Sequence, residues 1–378
     1  MSRPLSFWEK DSFLSESDVT LIGSGITGLL TALRIHEKYP KASITILERF
    51  PVPFGASTRN AGFACFGSPT EILSDIQVMG ERKACTLLAE RWSGIKELLQ
   101  IVKPYDIDFK FLGGYEVFFK GEQKKYEETC SKVSYLNELL SELAHEVFLI
   151  DDDLDELDGI KSAIGAIYTP YEGQLHSGKL VLKLIQKVHS IGVILINGVE
   201  VYQIERSAGL HLLHTSLGEL KTKQAIVCTN GLSAALLPDL PVAPKRGQII
   251  VTEPLTSPLE WKSNLHWDEG FYYARNIGDN RILVGGARNI DFAGESTDQI
   301  QTSDAIQNEL EHVLKKYFKL PGNTAIEYRW AGIMGFGPQN EKGYLIGKLD
   351  SEVIYGVRLS GMGIALAPII ARKITELL

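Results

Sequence analysis

Three glycines near the start of the chain have the types and spacing needed to hold a phosphate group. The stretch Gly23-Ser24-Gly25-Ile26-Thr27-Gly28 follows the apolar residues 19–22 and precedes a helical run. Gly23 permits a tight turn, Gly25 lets the backbone approach a pyrophosphate, and Gly28 lets the helix pack against the strand. Because the first N–H groups of a helix carry partial positive charge, they attract phosphate. The pattern predicts a dinucleotide-binding turn.

An acidic residue at the end of the next predicted strand narrows the choice of dinucleotide. Glu48 lies 20 residues after Gly28 and follows the apolar run 44–47. A carboxylate at this distance accepts hydrogen bonds from a ribose diol and repels a 2′-phosphate. We therefore expect an unphosphorylated adenine dinucleotide, FAD or NAD. The alternative is a strand–loop–helix crossover without a ligand, which the agreement of strand, turn, helix and acid disfavours.

Composition and charge are typical of a globular protein and argue against several other classes. The 378 residues are enough for two domains, with 44% hydrophobic and 23% charged residues. The net charge of −8 and the lack of a basic run argue against a nucleic-acid partner. The sequence has no apolar run long enough to span a membrane and no signal-peptide pattern at its start. We expect a cytoplasmic protein without a transmembrane segment.

The cysteines and the acidic residues do not indicate a metal site. None of the four cysteines belongs to a CxxC pair or lies near a histidine at ligand spacing, which is typical of a reducing compartment. The acidic segment 151–158 lacks the alternating ligands and central glycine of an EF-hand loop, so a solvated helix start is favoured. We predict no metal site.

The order of predicted elements indicates an α/β composite fold with two discontinuous domains. Elements typical of dinucleotide-binding domains occur at the start, in the middle and at the end of the chain, and strand-rich segments lie between them. We predict a Rossmann-like domain and a second domain with an antiparallel sheet that binds the substrate. The Rossmann-like domain comprises 1–103, 160–240 and 330–378, and the second domain comprises 104–159 and 241–329.

Six motifs in a fixed order resemble those of the D-amino-acid oxidase (DAO) family of FAD-dependent oxidoreductases, over nearly the whole chain. Besides the glycine turn with Glu48, they are Gly55–Gly62, Ile226–Gly231, Lys245–Gln248, Phe271–Arg275 with Ile282–Gly286, and Trp330–Gly332 with Gly343–Gly347 leading to Gly361–Gly363. Several ordered matches are far more specific than any one of them. Within the family, the residues of these motifs are most similar to those of glycine oxidase and of γ-glutamylputrescine oxidoreductase-like members.

The resemblance implies FAD rather than NAD and places the reactive ring beside the loop that follows Glu48. Ser57 and Thr58 are implied to donate hydrogen bonds to phosphate, Arg59 to neutralise its charge, and Asn60 to meet the flavin edge. A structural Ω-type loop is the alternative. Only one phosphate-binding glycine turn precedes a helix, whereas a pyridine-nucleotide-dependent flavoprotein reductase would show two. We therefore expect the electrons to come from the substrate.

The resemblance also implies non-covalent FAD and a second helix start beside the ring. Relatives that attach the flavin covalently carry a histidine in the loop where this chain has Arg59, and we expect Cys65 nearby to be a small buried thiol. The last helix begins at Gly361-Met362-Gly363, where its N-terminus stabilises negative charge on the flavin pyrimidine. A close-packed helix start without that role is the alternative.

The predicted cofactor-binding residues are Gly23, Gly25, Ile26, Thr27, Gly28, Glu48, Arg49, Ser57, Thr58, Arg59, Asn60, Ala61, Gly62, Val201, Thr229, Asn230, Gly231, Gly361, Met362, Gly363 and Ile364. The predicted catalytic residues are Tyr272, Tyr273, Met334 and Arg358.

The substrate residues match the family less closely. Several relatives bind the substrate carboxylate with an arginine just after a Trp-x-Gly turn, but here Ile333 and Met334 follow Trp330-Ala331-Gly332. This departure disfavours glycine or a simple D-amino acid as the substrate. The arginines that could replace the missing one are Arg275, Arg288, Arg329 and Arg358, each of which could equally be an ion-pair residue.

Three further features of the substrate region leave alternatives open. Tyr272 and Tyr273 are neighbours on one predicted strand, so only one can face the flavin. His176 lies in a glycine-flanked loop and is expected to be a solvated or capping histidine. Gln339-Asn340 replaces a Pro-Asp pair of many relatives.

These features predict an FAD-dependent oxidoreductase that oxidises the C–N bond of an amine or amino acid. Hydride passes from the α-carbon to flavin N5, and the imine hydrolyses. No histidine stands out as a general base, and none is required if the amine binds deprotonated. We expect oxygen or a quinone as the electron acceptor. Two alternatives are an FAD-dependent 2-hydroxy-acid dehydrogenase on the same fold and a flavin-binding subunit without turnover.

Overall fold

The computed structural model describes residues 4–103, 105–338 and 341–378. The Gln339-Asn340 pair, in which the sequence departs from the family pattern, lies outside the described residues.

The chain begins its first sheet with the predicted β-α-β unit. Strand β1 (Ser17–Ile22) leads through the glycine turn into α1 (Ile26–Lys38), and β2 (Ile44–Glu48) pairs with β1 in parallel. Nearly all residues of both strands are buried, because helices cover the sheet as in other parallel sheets.

The remaining helices and strands follow in chain order. Up to residue 190 they are α2 (Ala56–Arg59), β3 (Phe63–Ala64), α3 (Pro69–Met79), α4 (Glu81–Val102), β4 (Lys110–Phe111), β5 (Gly114–Phe119), α5 (Gln123–Cys130), α6 (Val133–Leu139), β6 (Leu149–Asp151), β7 (Ala163–Thr169), β8 (Gly173–Gln174) and α7 (Ser177–Ser190). From residue 194 they are β9 (Ile194–Asn197), β10 (Val201–Ser207), β11 (Leu210–Thr215), β12 (Gly218–Val227), β13 (Ala243–Thr252), β14 (Asn264–Trp267), β15 (Tyr272–Ile277), β16 (Arg281–Gly286), α8 (Asp304–Tyr317), β17 (Ile326–Phe336), β18 (Leu345–Lys348), β19 (Ile354–Val357) and α9 (Gly363–Glu376). Short helical turns cover Glu9–Phe13, Asp155–Leu157, Asn230–Ala235 and Arg288–Ile290.

Two eight-stranded sheets organise the fold. The first has the strand order β10-β11-β12-β1-β2-β9, with the β18–β19 pair joined to β12 through β19. The second has the order β17-β13-β16-β15-β14-β5-β7-β6. In the second sheet β5 and β14 pair in parallel, and the other neighbouring strands are antiparallel. A small sheet of β3, β8 and β4 is also present.

The predicted fold class, an α/β composite with a parallel-strand unit and a largely antiparallel second sheet, is confirmed. The domain boundaries stay a prediction, but two of them do not follow sheet membership. Strand β7 lies in the second sheet, whereas the predicted segment 160–240 places it in the Rossmann-like domain. Strand β17 also lies in the second sheet, although the predicted boundary at residue 330 divides this strand between the two domains. The expected turn at Trp330-Ala331-Gly332 is wrong, because these residues lie inside the long strand β17.

Helix α9 packs closely against α1 and α4 in the main hydrophobic core. A Cβ atom added to Gly94 of α4 would lie 1.9 Å from the carbonyl oxygen of Ala365 in α9, so the glycine permits the crossing. The second core packs Trp261, Trp267, Tyr272 and Phe318 with aliphatic residues of α8. Among the described residues, no helix is both long and apolar enough to cross a lipid bilayer.

A buried ion pair joins β13 to the loop before α8. Arg246 donates from Nε and Nη2 to the carboxylate oxygens of Glu295, at 3.0 and 2.6 Å, and both side chains are almost fully buried. The side chains of Gln248 and Ser303 donate to the same carboxylate. Both charges are removed from water but matched, so losing one partner would leave the other charge uncompensated.

Replacing Glu295 with Gln should therefore lower the free energy of unfolding by about 3 kcal/mol, since Arg246 would keep its charge in a buried site. The matched control is Glu327→Gln, which removes the partner of Arg281 at a more exposed site and should change stability little. Urea unfolding followed by circular dichroism measures both variants. Equal losses in the two variants would contradict this interpretation.

Candidate functional site

A cavity of about 500 Å³ is lined by residues of both large sheets. This volume is within the range of sites that hold cofactors and small ligands. We call one part of its lining the glycine wall, formed by Gly23, Gly25, Ile26, Glu48, Ser57, Asn60, Thr229, and residues 361–365. We call another part the distal wall, formed by Phe63, Cys65, Glu71, His266, Tyr273, Arg288, Phe336 and Lys342.

The glycine turn places the start of α1 close to the end of β1. Gly23 has φ +103° and donates its N–H to the carbonyl of Leu47 at 2.8 Å. A Cβ atom on Gly28 would lie 2.0 Å from the Gly23 carbonyl oxygen, and one on Gly25 would lie 2.8 Å from Ser57 Oγ. Gly28 does not line the cavity, so its contribution is the close packing of helix on strand.

Two helix N-termini reach the glycine wall. Helix α1 starts after Gly25 and α9 after Met362, and neither of these N-cap residues makes a side-chain capping hydrogen bond. The backbone N–H of Ile26 donates to Ser57 Oγ at 2.9 Å, and Gly361 adopts φ +81° just before α9. The remaining N–H groups of a helix N-terminus carry partial positive charge, which suits phosphate and a ring that gains negative charge.

Glu48 is fixed in place before any ligand binds. Its Oε2 accepts hydrogen bonds from Ser24 N at 3.0 Å and Ser24 Oγ at 2.8 Å, and its Oε1 accepts from Phe50 N at 3.1 Å. The carboxylate is buried yet lines the cavity, and its oxygens can accept further bonds. Nearby, Thr229 also lines the cavity, and its buried hydroxyl has no partner among the described residues. This wall fits an adenine dinucleotide.

The loop after Glu48 is held by its own side chains, which corrects two expectations. Thr58 does not line the cavity, because its hydroxyl donates to the carbonyl of Pro53 at 2.6 Å. The predicted hydrogen bond from Thr58 to phosphate is therefore wrong. Asn60 Nδ2 donates to the carbonyls of Ala56 and Ser57, and its Oδ1 accepts from Gly62 N and Ser177 Oγ. With its amide used in this way, Asn60 orders the loop.

Arg59 links this loop to β17. Its guanidinium lies 3.6 Å from the centroid of the Phe54 ring, and its Nη1 donates to the carbonyl of Ala331 at 2.8 Å. The indole N–H of Trp330 donates to the Arg59 carbonyl at 3.0 Å. The Trp-x-Gly segment therefore supports the loop, and Arg59 remains on the cavity wall with its pKa lowered by burial.

Most of the other predicted cofactor-binding residues line the cavity. They are Thr27, Arg49, Ala61, Gly62, Val201, Asn230, Met362, Gly363 and Ile364. Gly231 does not, because a Cβ atom there would lie 2.5 Å from the carbonyl oxygen of Met334, so this glycine permits the contact between the Asn230–Ala235 turn and β17.

Two of the four predicted catalytic residues lie away from the cavity. Tyr273 and Met334 line it, whereas Tyr272 stacks on Trp267 in the second core and donates its hydroxyl to Glu309 at 3.2 Å. Arg358 is buried and pairs with Glu341 at 3.3 Å outside the cavity lining. A catalytic role for Tyr272 or Arg358 is therefore wrong on this geometry, because neither side chain lies on the cavity wall.

Of the four candidate arginines, Arg288 lines the cavity. Its guanidinium carbon lies 4.4 Å from the Phe336 ring centroid, and 5.5 and 5.7 Å from those of Phe271 and Phe292. Burial lowers its pKa. Arg275 instead donates from Nη1 to three backbone carbonyls, and burial lowers its pKa to about 10. Arg329 pairs with Glu311 away from the cavity.

One row of neighbours across the second sheet carries three polar side chains. Glu116 of β5 lies opposite His266 of β14, which lies opposite Tyr273 of β15. Residues opposite one another in a sheet project from the same face. His266 and Tyr273 both line the cavity, and the Phe63 ring makes edge contacts with both rings, at centroid distances of 5.1 and 5.6 Å. Sequence reasoning missed His266, because β14 was not predicted.

The signal for β14 was present but short. Leu265 and Trp267 are apolar and alternate with Asn264 and His266, which is the period of a strand. Four residues of alternation are too few to stand out, and all four are buried. His176, in contrast, lies where the sequence suggested, with its Nδ1 accepting a hydrogen bond from Lys179 N at the start of α7.

His266 belongs to a buried group of potential ligand atoms that the sequence did not bring together. His266 Nε2 lies 2.9 Å from Glu172 Oε2, and atoms of Cys65, Glu172 and His266 all lie within 4.8 Å of one another. Burial would lower the pKa of His266, but the carboxylates of Glu172, Glu71 and Glu116 outweigh it and raise that pKa. Burial raises the pKa of the Cys65 thiol well above its usual range, and the carboxylates of Glu172 and Glu71 raise it further.

Comparison with known proteins identifies relatives along almost the whole chain. Residues 18–377 match the family described as DAO, FAD dependent oxidoreductase. Gamma-glutamylputrescine oxidoreductase of Escherichia coli (strain K12) is 26% identical over 386 residues, which cover 96% of this chain and 83% of that protein.

Solved structures share the fold at low identity. L-proline dehydrogenase from P. horikoshii is 16% identical with a TM-score of 0.75, covering 96% of this chain and 93% of that one. Glycine oxidase from Geobacillus kaustophilus is 18% identical with a TM-score of 0.72, covering 94% of this chain and 93% of that one.

Replacing Gly28 with Ala should weaken dinucleotide binding and lower the free energy of unfolding by about 1–3 kcal/mol, because the methyl group must displace the backbone at Gly23. Gly55→Ala is the matched control, since Gly55 lines the cavity and a Cβ atom there would meet nothing within 4 Å. Cofactor content after purification and urea unfolding measure the two effects. A Gly28→Ala protein with normal cofactor content and stability would contradict the packing argument.

Proposed function

The chain belongs to the DAO family of FAD-dependent oxidoreductases and is an enzyme, and on this basis we propose that it oxidises the C–N bond of a small amine or amino acid. When bound, FAD would supply a two-electron acceptor for the hydride that leaves the substrate α-carbon, and the resulting imine would hydrolyse in water. The resemblance inferred from the sequence is thereby confirmed at the level of the family.

The presence of Arg288 and Tyr273 together on the distal wall is the observation that carries this proposal. Arg288 lies among the rings of Phe271, Phe292 and Phe336, which keep water away from one side of its charge. Both side chains line the same cavity, and Tyr273 of β15 lies opposite Gly285 of β16, three residues before Arg288. A guanidinium and a phenol in this arrangement would bind a substrate carboxylate, with Arg288 in place of the arginine missing after Gly332.

The glycine wall would hold FAD by contacts that leave the distal wall for the substrate. Glu48 would accept hydrogen bonds from the ribose, and the N-termini of α1 and α9 would receive the pyrophosphate and the pyrimidine side of the ring. An open cavity lined by a tyrosine and an arginine disfavours the alternative of a flavin-binding subunit without turnover. A 2-hydroxy acid would use the same carboxylate contact, so the choice between amine and hydroxy acid depends on the substrate test.

We also propose that FAD is bound without a covalent bond. A thioether to Cys65 would require a thiolate, but burial raises the pKa of this thiol well above its usual range, and nearby carboxylates raise it further. The histidine that attaches flavin in some relatives is replaced by Arg59, which donates to the Ala331 carbonyl. A cytoplasmic location and the use of oxygen or a quinone as the final acceptor stay predictions.

An anaerobic panel of amines, amino acids and 2-hydroxy acids tests the reaction. We expect an amine or amino acid to bleach the visible absorbance of bound, oxidised FAD, because the flavin accepts the two electrons of the oxidation. Bleaching by hydroxy acids alone would contradict the proposed reaction and favour the alternative. Purified protein that neither contains FAD nor binds it when added would contradict the whole assignment.

Replacing Arg288 with Met should weaken binding of the carboxylate-bearing substrate found in that panel by roughly 10–100-fold, because a charged hydrogen bond is lost. The absorbance spectrum of bound FAD should stay normal. Arg329→Met, which removes an arginine outside the cavity, is the control and should bind like the wild type. Unchanged binding in Arg288→Met would show that another group holds the carboxylate.

Acid precipitation tests the mode of attachment. We expect all FAD to remain in the supernatant after the protein is removed, and Cys65→Ala to bind FAD as the wild type does. Flavin fluorescence that stays with the precipitated chain would contradict non-covalent binding.

A further inference from the structure

We propose that His266 accepts a proton from the substrate ammonium before oxidation and that Glu172 holds it in position for this step. This inference rests on the proposed amine oxidation and adds to it a catalytic residue and a positioning residue.

The geometry of the pair is that of a supported histidine. Glu172 Oε2 lies 2.9 Å from His266 Nε2, and Glu172 is only 1% exposed. Asn264 Nδ2 lies 3.3 Å from the same oxygen and donates to the Gly173 carbonyl at 3.1 Å, so the carboxylate cannot easily turn away. The ring of His266 lines the cavity while its partner lies behind it, outside the cavity lining.

This arrangement determines which ring nitrogen is available for chemistry. A carboxylate next to Nε2 keeps a proton on that nitrogen and leaves Nδ1 as the acceptor of the neutral ring. The carboxylate also stabilises the imidazolium that forms when Nδ1 takes a proton. Glu172 therefore orients the base and makes proton transfer to it more favourable.

The position of His266 suits the amine end of a substrate whose carboxylate lies at Arg288. His266 and Tyr273 are direct neighbours across β14 and β15, and Phe63 contacts both rings from the cavity side. Tyr273 lies opposite Gly285 of β16, and Arg288, two residues after the end of that strand, also lines the cavity. A small amino acid bound by Arg288 and Tyr273 would therefore place its ammonium group next to His266.

The charged groups around His266 favour a cation in this part of the cavity. Glu172 faces it from the loop before β8, Glu116 from β5 and Glu71 from α3, while Cys65 and Tyr273 are the other titratable neighbours. Lys342 lies 2.7 Å from Glu71 and 2.9 Å from Asp75, and Arg91 lies 3.8 Å from Asp75, so two cations offset part of this negative charge. A substrate ammonium would be attracted here and would in turn ease loss of any proton already on His266.

The proton balance is simple. The substrate enters as an ammonium, an N–H bond breaks, and the electron pair stays on the nitrogen. Nδ1 of neutral His266 forms a new N–H bond and the ring becomes an imidazolium paired with Glu172. The amine can then lose a hydride from its α-carbon to FAD, and His266 returns its proton to water after the product leaves.

The sign of the pH dependence follows from this scheme. Because the ring must be neutral to accept the proton, the rate of flavin reduction should rise as pH rises through the pKa of His266. The carboxylates of Glu172, Glu71 and Glu116 raise that pKa above its usual value, against the effect of burial. An exposed histidine titrates near pH 6.5. Because the pKa of His266 is raised, the rate of flavin reduction should continue to increase with pH above that value.

The test compares the pH profile of anaerobic FAD reduction in three variants, with the amine that bleaches the flavin. Glu172→Gln should move the acid limb to lower pH by about one unit, because it removes a charge but keeps a hydrogen-bonding group. His266→Gln should remove the limb and lower the neutral-pH rate roughly 100-fold, with recovery at high pH where the amine is deprotonated in solution. The control, His176→Gln, should match the wild type, since His176 caps α7 outside the cavity lining.

An acid limb that is unchanged in both Glu172→Gln and His266→Gln, with normal rates, would overturn this inference and leave the proposed function intact.

A second measurement needs no substrate: NMR titration of the labelled histidines in the FAD-loaded enzyme. We expect one imidazole to titrate above 6.5 in the wild type, to disappear in His266→Gln and to titrate lower in Glu172→Gln. Identical histidine titrations in the wild type and in Glu172→Gln would overturn the proposed role of Glu172. Stoichiometric metal in the purified enzyme that is lost in Cys65→Ala would also overturn the inference, because Cys65, Glu172 and His266 would then be metal ligands.

Discussion

The close contact between the glycine turn and the first turn of α1 is the constraint on which the site depends. Gly28 meets the carbonyl of Gly23 at a distance where no side chain fits, and Gly23 itself needs φ +103°. Because of this contact, α1 starts at the end of β1 and its N-terminus opens onto the cavity. Helix α9 packs on α1 and brings a second helix N-terminus to the same cavity.

The distal wall depends on a second constraint, the register of the second sheet. Pairing of β5, β14 and β15 places Glu116, His266 and Tyr273 in one row, although they are far apart in the chain. A slip of one residue would turn Tyr273 into the core and Tyr272 towards the cavity. Glu116 also anchors α3 by accepting a hydrogen bond from Thr70 N at 2.8 Å, and its own pKa is raised to about 6 by burial. The same row thus fixes the helix that carries Glu71.

The features that were predicted correctly from the sequence are those encoded locally. The β-α-β unit, the glycine turn between β1 and α1, and the position of Glu48 at the end of β2 all follow from spacing within thirty residues. The choice between Tyr272 and Tyr273 could not be made, since both are largely enclosed and the strand has no polar face to orient it. The hydroxyl of Thr58 donates a hydrogen bond to the carbonyl of Pro53, and the sequence pattern of the loop does not predict this contact.

The residues that were misplaced or missed depend on contacts between distant segments. Arg288 and Arg358 look alike in the sequence, but Arg358 pairs with Glu341 while Arg288 lies among aromatic side chains of three different segments. His266 gains its partner from Glu172, ninety-four positions earlier, which the sequence alone does not connect. Such pairings require the register of both sheets, so the cofactor could be inferred before the fold was known, and the substrate contacts could not.

We propose that one cavity binds FAD on the glycine wall and a carboxylate-bearing amine on the distal wall. A crystal structure of the FAD-loaded enzyme with benzoate, a carboxylate that cannot be oxidised at an α-carbon, tests it most directly. We expect FAD to lie along Glu48 and the starts of α1 and α9, with the benzoate carboxylate within hydrogen-bonding distance of Arg288 and Tyr273. FAD outside this cavity, or a carboxylate held by Arg329 or Arg358 instead, would contradict it.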